Sequence, residues 1–171
     1  LENRTAMTRI LPGLFRDTQV HRLSHFFRSL QSALAAVAPR KTDEPRIVIL
    51  TPGPRNETYF EHAYLSSYLG CTLVQGEDLT VRGGQVKLKS LDGLEPVDVI
   101  LRRVDDHYCD PLELRGDSLL GVAGLLEALR QRRTAVANPP GSSVLENPGL
   151  MAFMPAVAAH LLQEDLILPS A

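Results

Sequence analysis

Only two cysteines, Cys71 and Cys109, occur in 171 residues. That is too few for a disulfide scaffold, and their spacing is not that of metal ligands, so they read as free thiols of a reducing, cytoplasmic compartment. No stretch reaches the ~18 apolar residues of a membrane span and no signal peptide is visible, so no membrane partner is expected. An excess of one charge is missing too. The balance of 18 Lys+Arg against 20 Asp+Glu gives −2, which leaves no global field to attract nucleic acid. The glycine-bearing loop at 138–143 has neither the G-x-G-x-x-G of a dinucleotide site nor the Lys-Ser/Thr of a P-loop, and no nucleotide-binding site is complete in this chain. Repeats and low-complexity segments are absent. An initiator Met is lacking as well: the chain opens Leu1-Glu2-Asn3-Arg4 and closes Leu168-Pro169-Ser170-Ala171, and both ends are expected to be cuts in a longer protein.

What is present is ordinary globular material, 44% hydrophobic and 22% charged, enough for one domain or a domain with an appendage. A chain of this length buries roughly 70% of its unfolded surface and needs no staple. Met7, Ile10, Leu11 and Leu14 recur at helical spacing from Asn3 to Leu14. Asp17 or Thr18 is placed to cap a second helix, along which Val20, Leu23, Phe27, Leu30, Leu34 and Val37 form one apolar stripe. Pro39 ends it, and the charged linker Arg40 to Pro45 divides a helical segment, 1–45, from the remainder, 46–171.

Beyond Pro45 the period changes. The continuous apolar run Ile47-Val48-Ile49-Leu50 predicts a strand covered on both faces, as in a parallel sheet. A helix over Thr58 to Leu69 and a strand over Thr72 to Gln75 complete a β-α-β unit. Leu79 and Val81, then Val86 and Leu88, alternate with polar residues on either side of Gly83-Gly84. This predicts a hairpin with a type I′ turn, Val81 beside Val86 and Leu79 beside Leu88. A strand over Val97 to Leu101, a helix over Leu119 to Gln131, a short strand over Thr134 to Ala137 and a helix capped by Asn147 with Pro148 first follow. The alternation predicts an α/β fold, a doubly wound, mostly parallel three-layer sheet with an inserted hairpin.

Ligands of such sheets gather at the carboxyl ends of the strands. Three loops leave those ends: Thr51 to Glu57, Arg102 to Tyr108, and Asn138 to Ser143. In the second, Arg102 and Arg103 offer planar forks suited to a carboxylate or phosphate, and Asp105 and Asp106 can hold an amine, a metal or those same arginines. A strand-end ion pair that merely closes the loop fits the sequence equally well. In the first loop, a helix N-terminus preceded by Gly and Pro can seat an anion, although Glu57, read as part of the first turn, satisfies the helix dipole by itself. Glu61, one turn further, points either at a ligand or into solvent. His21 and His25 lack a third ligand, and Cys109 lacks a partnered base.

Longer strings carry a resemblance. Leu1-Glu2-Asn3-Arg4, Leu50-Thr51-Pro52-Gly53, the run Asn56 to His62, the run Ile100 to Asp106, Asp110-Pro111-Leu112, Asp117-Ser118, Leu120-Gly121-Val122 and Ala137-Asn138 together resemble the circularly permuted ATP-grasp proteins of bacteria, over essentially the whole chain. The resemblance implies that this chain is the Rossmann-like pre-ATP-grasp domain between two halves of a split ATP-grasp fold, which would be its partners within one polypeptide. It further implies an ATP-dependent carboxylate–amine ligase that uses ATP and Mg in the full-length protein, this segment alone being inert and binding no cofactor. Substrate contacts are then expected from Asn56, Glu57, Tyr59, Glu61, Arg102, Arg103, Asp105 and Asp106, and a cofactor contact from Asn138. The sequence departs from the family pattern at His107-Tyr108, Pro139-Pro140 and Asn147-Pro148. The rival readings are a non-catalytic scaffold or docking module, and an independent nucleotide-binding domain.

Overall fold

The computed structural model describes residues 2–21 and 23–168, which divide into two compact units, Leu1–Asn138 and Pro139–Ala171. The linker at 40–45 lies inside the first.

The first unit is built on a parallel sheet of β1 (Ile47–Leu50), β2 (Thr72–Val74), β6 (Val99–Arg102) and β7 (Ala135–Ala137), in the order β2-β1-β6-β7. Its register sets Val48 beside Thr72 and Ile100, and Ile100 beside Val136. Strand alternation divides the core in two. Ile49 and Val99 pack with Phe27 and Leu34 of α3 (Ser24–Ala36) and Leu69 of α4 (Tyr59–Leu69). Val48, Leu50 and Ile100 pack on the other face with Val74, Val86, Leu88 and Leu125. The expected α/β layering is therefore present, with a difference. The second face is covered by α5 (Leu125–Arg130) together with a separate antiparallel sheet, β3 (Leu79–Arg82), β4 (Gln85–Ser90) and β5 (Gly93–Pro96).

The hairpin has the expected register, Leu79 opposite Leu88 and Val81 opposite Val86, and Gly83 and Gly84 both take positive φ, 59° and 73°. Thr134 fastens it to the parallel sheet by accepting from Val86 N (3.2 Å) and donating to the Val97 carbonyl (3.0 Å). At the amino end of the sheet, buried Asp98 accepts Arg40 Nε (2.5 Å) and Nη2 (2.8 Å) and the backbone N–H of Arg46 (2.8 Å).

The N-terminal helices differ from expectation. α1 (Glu2–Ile10) and α2 (Pro12–Asp17) precede a break, and α3 starts at Ser24. Thr18, expected as an N-cap, closes α2 instead: its hydroxyl donates to the Leu14 carbonyl at 2.6 Å. Gln19 then takes a positive φ of 50°. No residue of α2 is buried.

In the second unit Asn147 does cap, accepting from Gly149 N at 2.9 Å with Pro148 first. What it caps is a 3-10 helix, Pro148–Phe153, before α6 (Met154–Leu161) begins. Pro155 has no N–H to give the Met151 carbonyl, which takes the N–H of Met154 instead.

Candidate functional site

The parallel register brings four chain segments to one edge of the sheet. Thr51 N donates to Val74 O (2.9 Å) and Arg103 N to Leu50 O (2.8 Å), so the loops after β1, β2 and β6 start side by side. Leu101 pairs with Ala137, which brings Asn138 next to Arg102.

Arg102 and Arg103 are used differently. Arg102 follows the strand phase of Ile100 and is almost fully engaged. Its Nε donates to the Asn138 carbonyl at 2.9 Å, Nη1 donates to the Val104 carbonyl, and Nη2 pairs with Asp106 Oδ1. Only 10% of the Arg102 side chain and 11% of that of Asp106 remain accessible. This pair closes the loop and ties it to the end of β7. Arg103 takes the alternate phase, toward α4, and is exposed. Its guanidinium makes no hydrogen bond or ion pair with a described side chain, while its charge acts on His62 of α4. Asp105 is also exposed, at the start of the 3-10 turn Asp106–Tyr108.

The loop after β1 is organised from within. Asn56 Oδ1 accepts both the backbone N–H (2.9 Å) and the hydroxyl (2.6 Å) of Thr58, so its acceptor shapes the turn. Because α4 begins at Tyr59, Glu57 lies before the helix, and the first-turn carboxylate is Glu61. Both are exposed; Tyr59 is half-buried, its ring edge-on to Phe60. Gly53 has φ 97°, and a Cβ there would sit 2.2 Å from Gln75 Oε1, which joins this loop to the end of β2.

Two buried polar residues at this edge, His62 and Asp110, carry more of the geometry than the sequence suggested. His62, 2% accessible, has Thr51 Oγ1 at 2.9 Å from Nδ1 and Thr58 Oγ1 at 3.1 Å from Nε2. Burial pushes the imidazole below its usual 6.5; Arg103 adds to that, and Glu61 opposes it. Asp110, fully buried, accepts from the backbone N–H groups of Leu112 (3.0 Å), Gly124 (3.1 Å) and Leu126 (2.9 Å), which anchors the long second loop on the start of α5. The one available signal for these roles was the position of both residues inside the strings that carry the family resemblance.

Several weaker candidates receive a structural explanation. Burial pushes the Cys109 thiol up, with its Sγ directed at the carbonyls of Val104 and Asp105, which suits a core residue. His25 Nδ1 accepts from Arg28 at 3.1 Å. Among the described residues no group of three or more His, Cys, Asp or Glu side chains is arranged to hold a metal, and Asp106 is committed to Arg102. Asn138 contributes its carbonyl to Arg102; its side chain is exposed. Among the described residues no helix is long and apolar enough to cross a membrane. A groove of about 1510 Å³, lined by Arg4, Arg9, Arg16, Arg28, Phe27 and Tyr68 among others, lies between the N-terminal helices, away from the strand ends.

Known proteins match this sequence over all or nearly all of its length. An uncharacterised protein of Mycobacterium tuberculosis is 43% identical over 171 residues, covering 100% of this chain and 19% of that protein. One from Synechocystis is 39% identical over 168 residues, covering 98% of this chain and 35% of its own length. A second mycobacterial protein is 38% identical over 168 residues, 98% of this chain and 30% of its own. The chain thus spans between 19% and 35% of the length of these relatives. The family model of circularly permuted ATP-grasp proteins, type 2, matches residues 1–171, and the chain belongs to that family.

Proposed function

We propose that this chain is the substrate-contacting central domain of an ATP-dependent carboxylate–amine ligase, and that Arg103 is its anion-gripping residue. The observation that carries the reading is the division of labour at the end of β6. Arg102 is spent on Asp106, Val104 and Asn138, whereas Arg103 stands open at the strand edge where α/β sheets bind ligands. A guanidinium fork matches a carboxylate or an acylphosphate. The ammonium of the incoming amine is then met by Asp105 and Glu61, both exposed beside that edge, with Asn56, Glu57 and Tyr59 shaping the approach.

ATP, held with Mg by other parts of the polypeptide, would supply the phosphoryl group that activates the carboxylate and leave as ADP; attack by the amine would then form the amide and release phosphate. In this chemistry the present chain orients two substrates and leaves phosphoryl transfer to the ATP-grasp halves. Asn138 enters through its carbonyl, which fixes Arg102, while its side chain is exposed.

The test is phosphate release by the full-length protein with ATP and Mg, with and without pools of amino acids and polyamines. Release stimulated by an amine is expected. Arg103→Ala is then expected to lower kcat/KM for the carboxylate substrate roughly 10- to 100-fold, the loss of one charge-assisted hydrogen-bonded contact. Unchanged turnover and KM in that variant overturn the assignment. The buried Arg102–Asp106 pair favours a second reading, a domain that scaffolds the ATP-grasp halves without touching substrate. That reading predicts effects on stability alone for variants at both arginines.

A further inference from the structure

The loop between β1 and α4 is closed by a chain of hydrogen bonds that has one direction and passes through a buried imidazole. Gly53 N–H donates to Thr51 Oγ1 at 3.2 Å, and the Thr51 hydroxyl faces His62 Nδ1 at 2.9 Å. On the other side of the ring, Nε2 faces Thr58 Oγ1 at 3.1 Å. The Thr58 hydroxyl donates in turn to Asn56 Oδ1 at 2.6 Å, which also accepts the Thr58 backbone N–H at 2.9 Å.

Proton counting fixes the state of the ring. Thr58 gives its proton to Asn56, so its oxygen is an acceptor and Nε2 must carry a hydrogen. The Thr51 hydroxyl has no other acceptor among the described residues, so its own proton goes to Nδ1, which is then bare. Every donor meets one acceptor only in the neutral ring protonated at Nε2.

A second proton on Nδ1 would turn the Thr51 hydroxyl from donor to acceptor and leave its own proton buried with no acceptor among the described residues. Thr51 is 1% accessible and His62 2%, so water has no access to relieve the conflict. The charged groups acting on the ring are Arg103, at the end of β6, and Glu61, on α4 itself. Arg103 opposes a second positive charge, and Glu61 is exposed to solvent, which screens it.

We propose that His62 is a proton-operated latch: neutral, it holds loop 51–58 closed beside Arg103; protonated, it releases that loop. The latch stands on the hydrogen-bond geometry. Its consequence, a site that loses its shape in acid, rests on the ligase reading.

Hydrogen exchange read by mass spectrometry on the full-length protein tests it, with labelling times matched for the chemical exchange rate at each pH between about 5 and 8. The amides of Gly53 and Thr58 report directly, because their partners belong to the chain of bonds. Protection over 51–62 is expected to fall roughly tenfold per pH unit below the titration of the ring, the slope of one proton, while 97–104 stays protected. In His62→Gln, which cannot take up that proton, protection over 51–62 is expected to be independent of pH.

Flat protection over 51–62 in the wild-type protein overturns the latch. So does the same pH dependence in His62→Gln, or loss of protection at 97–104 in step with the loop, which is acid unfolding. Phosphate release measured over the same pH range separates the two proposals. A loop that opens in acid while turnover persists leaves the latch standing and removes this edge from the reaction.

Discussion

Removing the Arg102 side chain strands Asp106, whose carboxylate would stay almost buried with its cationic partner gone, and it frees the carbonyls of Val104 and Asn138. Arg102→Ala is therefore expected to cost about 3 kcal/mol in urea unfolding, the loss typical when one member of a buried ion pair is deleted. Arg102→Lys should recover little of it, since an ammonium on a flexible stem cannot reproduce three directions set by a planar fork. Arg103→Ala should change stability by no more than about 0.5 kcal/mol, as an exposed side chain without a hydrogen-bonded partner. Equal losses at both positions would mean that the two arginines are not divided between clamp and site. In the sequence they were indistinguishable, two forks at the end of one apolar strand. Their separation comes from strand alternation and from the neighbours β7 and α4, which are distant in the chain. The role of His62 was hidden for the same reason, because Thr51 and Thr58 become its partners only when loop and helix fold back on each other.

Among the secondary-structure elements, those defined by local chemistry were legible and those defined by backbone contact were not. The apolar run of β1, the hairpin turn at Gly83-Gly84 and the ends of α4, where Gly70 adopts φ 65°, follow from neighbouring residues alone. β5 escaped because Gly93-Leu94-Glu95-Pro96 has no strand pattern; it exists by pairing with β4, Leu94 opposite Lys89 and Pro96 opposite Lys87. The helix expected from Leu119 starts only at Leu125. Gly121 is pressed against the second loop, where a Cβ would lie 2.1 Å from the Tyr108 carbonyl oxygen and 2.3 Å from that of Cys109, and Val122 N donates to Cys109 O at 2.8 Å. Gly121→Ala should thus force two backbone segments apart and cost about 1–3 kcal/mol. Gly13, inside α2 with nothing within 4 Å of an added Cβ, is the matched control. There alanine should raise stability by about 0.5–1 kcal/mol through helix propensity. Thermal unfolding of the two variants reads both signs; a Gly121→Ala protein as stable as the parent would contradict the close approach that shortens α5.

For the molecule as a whole, the buried titratable groups bound the pH range in which it is stable. His62 is held below its usual 6.5, so between that value and its folded pKa the unfolded chain binds more protons than the folded one. Stability must therefore fall as pH drops through this window. Burial works against the charge of Asp98, yet the hydrogen bonds from Arg40 and from Arg46 N–H, with the charges of both arginines, keep its carboxyl below the usual 3.8. Its contribution is present above 3.8 and is lost as pH falls further. The cysteines act at the other end. Burial raises both Cys71 and Cys109 above 9.0, so the unfolded chain loses thiol protons first and stability declines as pH rises beyond 9.0. Urea unfolding across pH should accordingly give a plateau between about 6.5 and 9.0, one descending step on its acid side and a second below 3.8. His62→Gln should remove the first acid step and leave the second. Asp98→Asn should do the reverse, at the cost of the Arg40 pair. A plateau that reaches below pH 6 without a step would mean that the imidazole is charged in the folded protein. The single-proton arrangement around loop 51–58 would then be wrong.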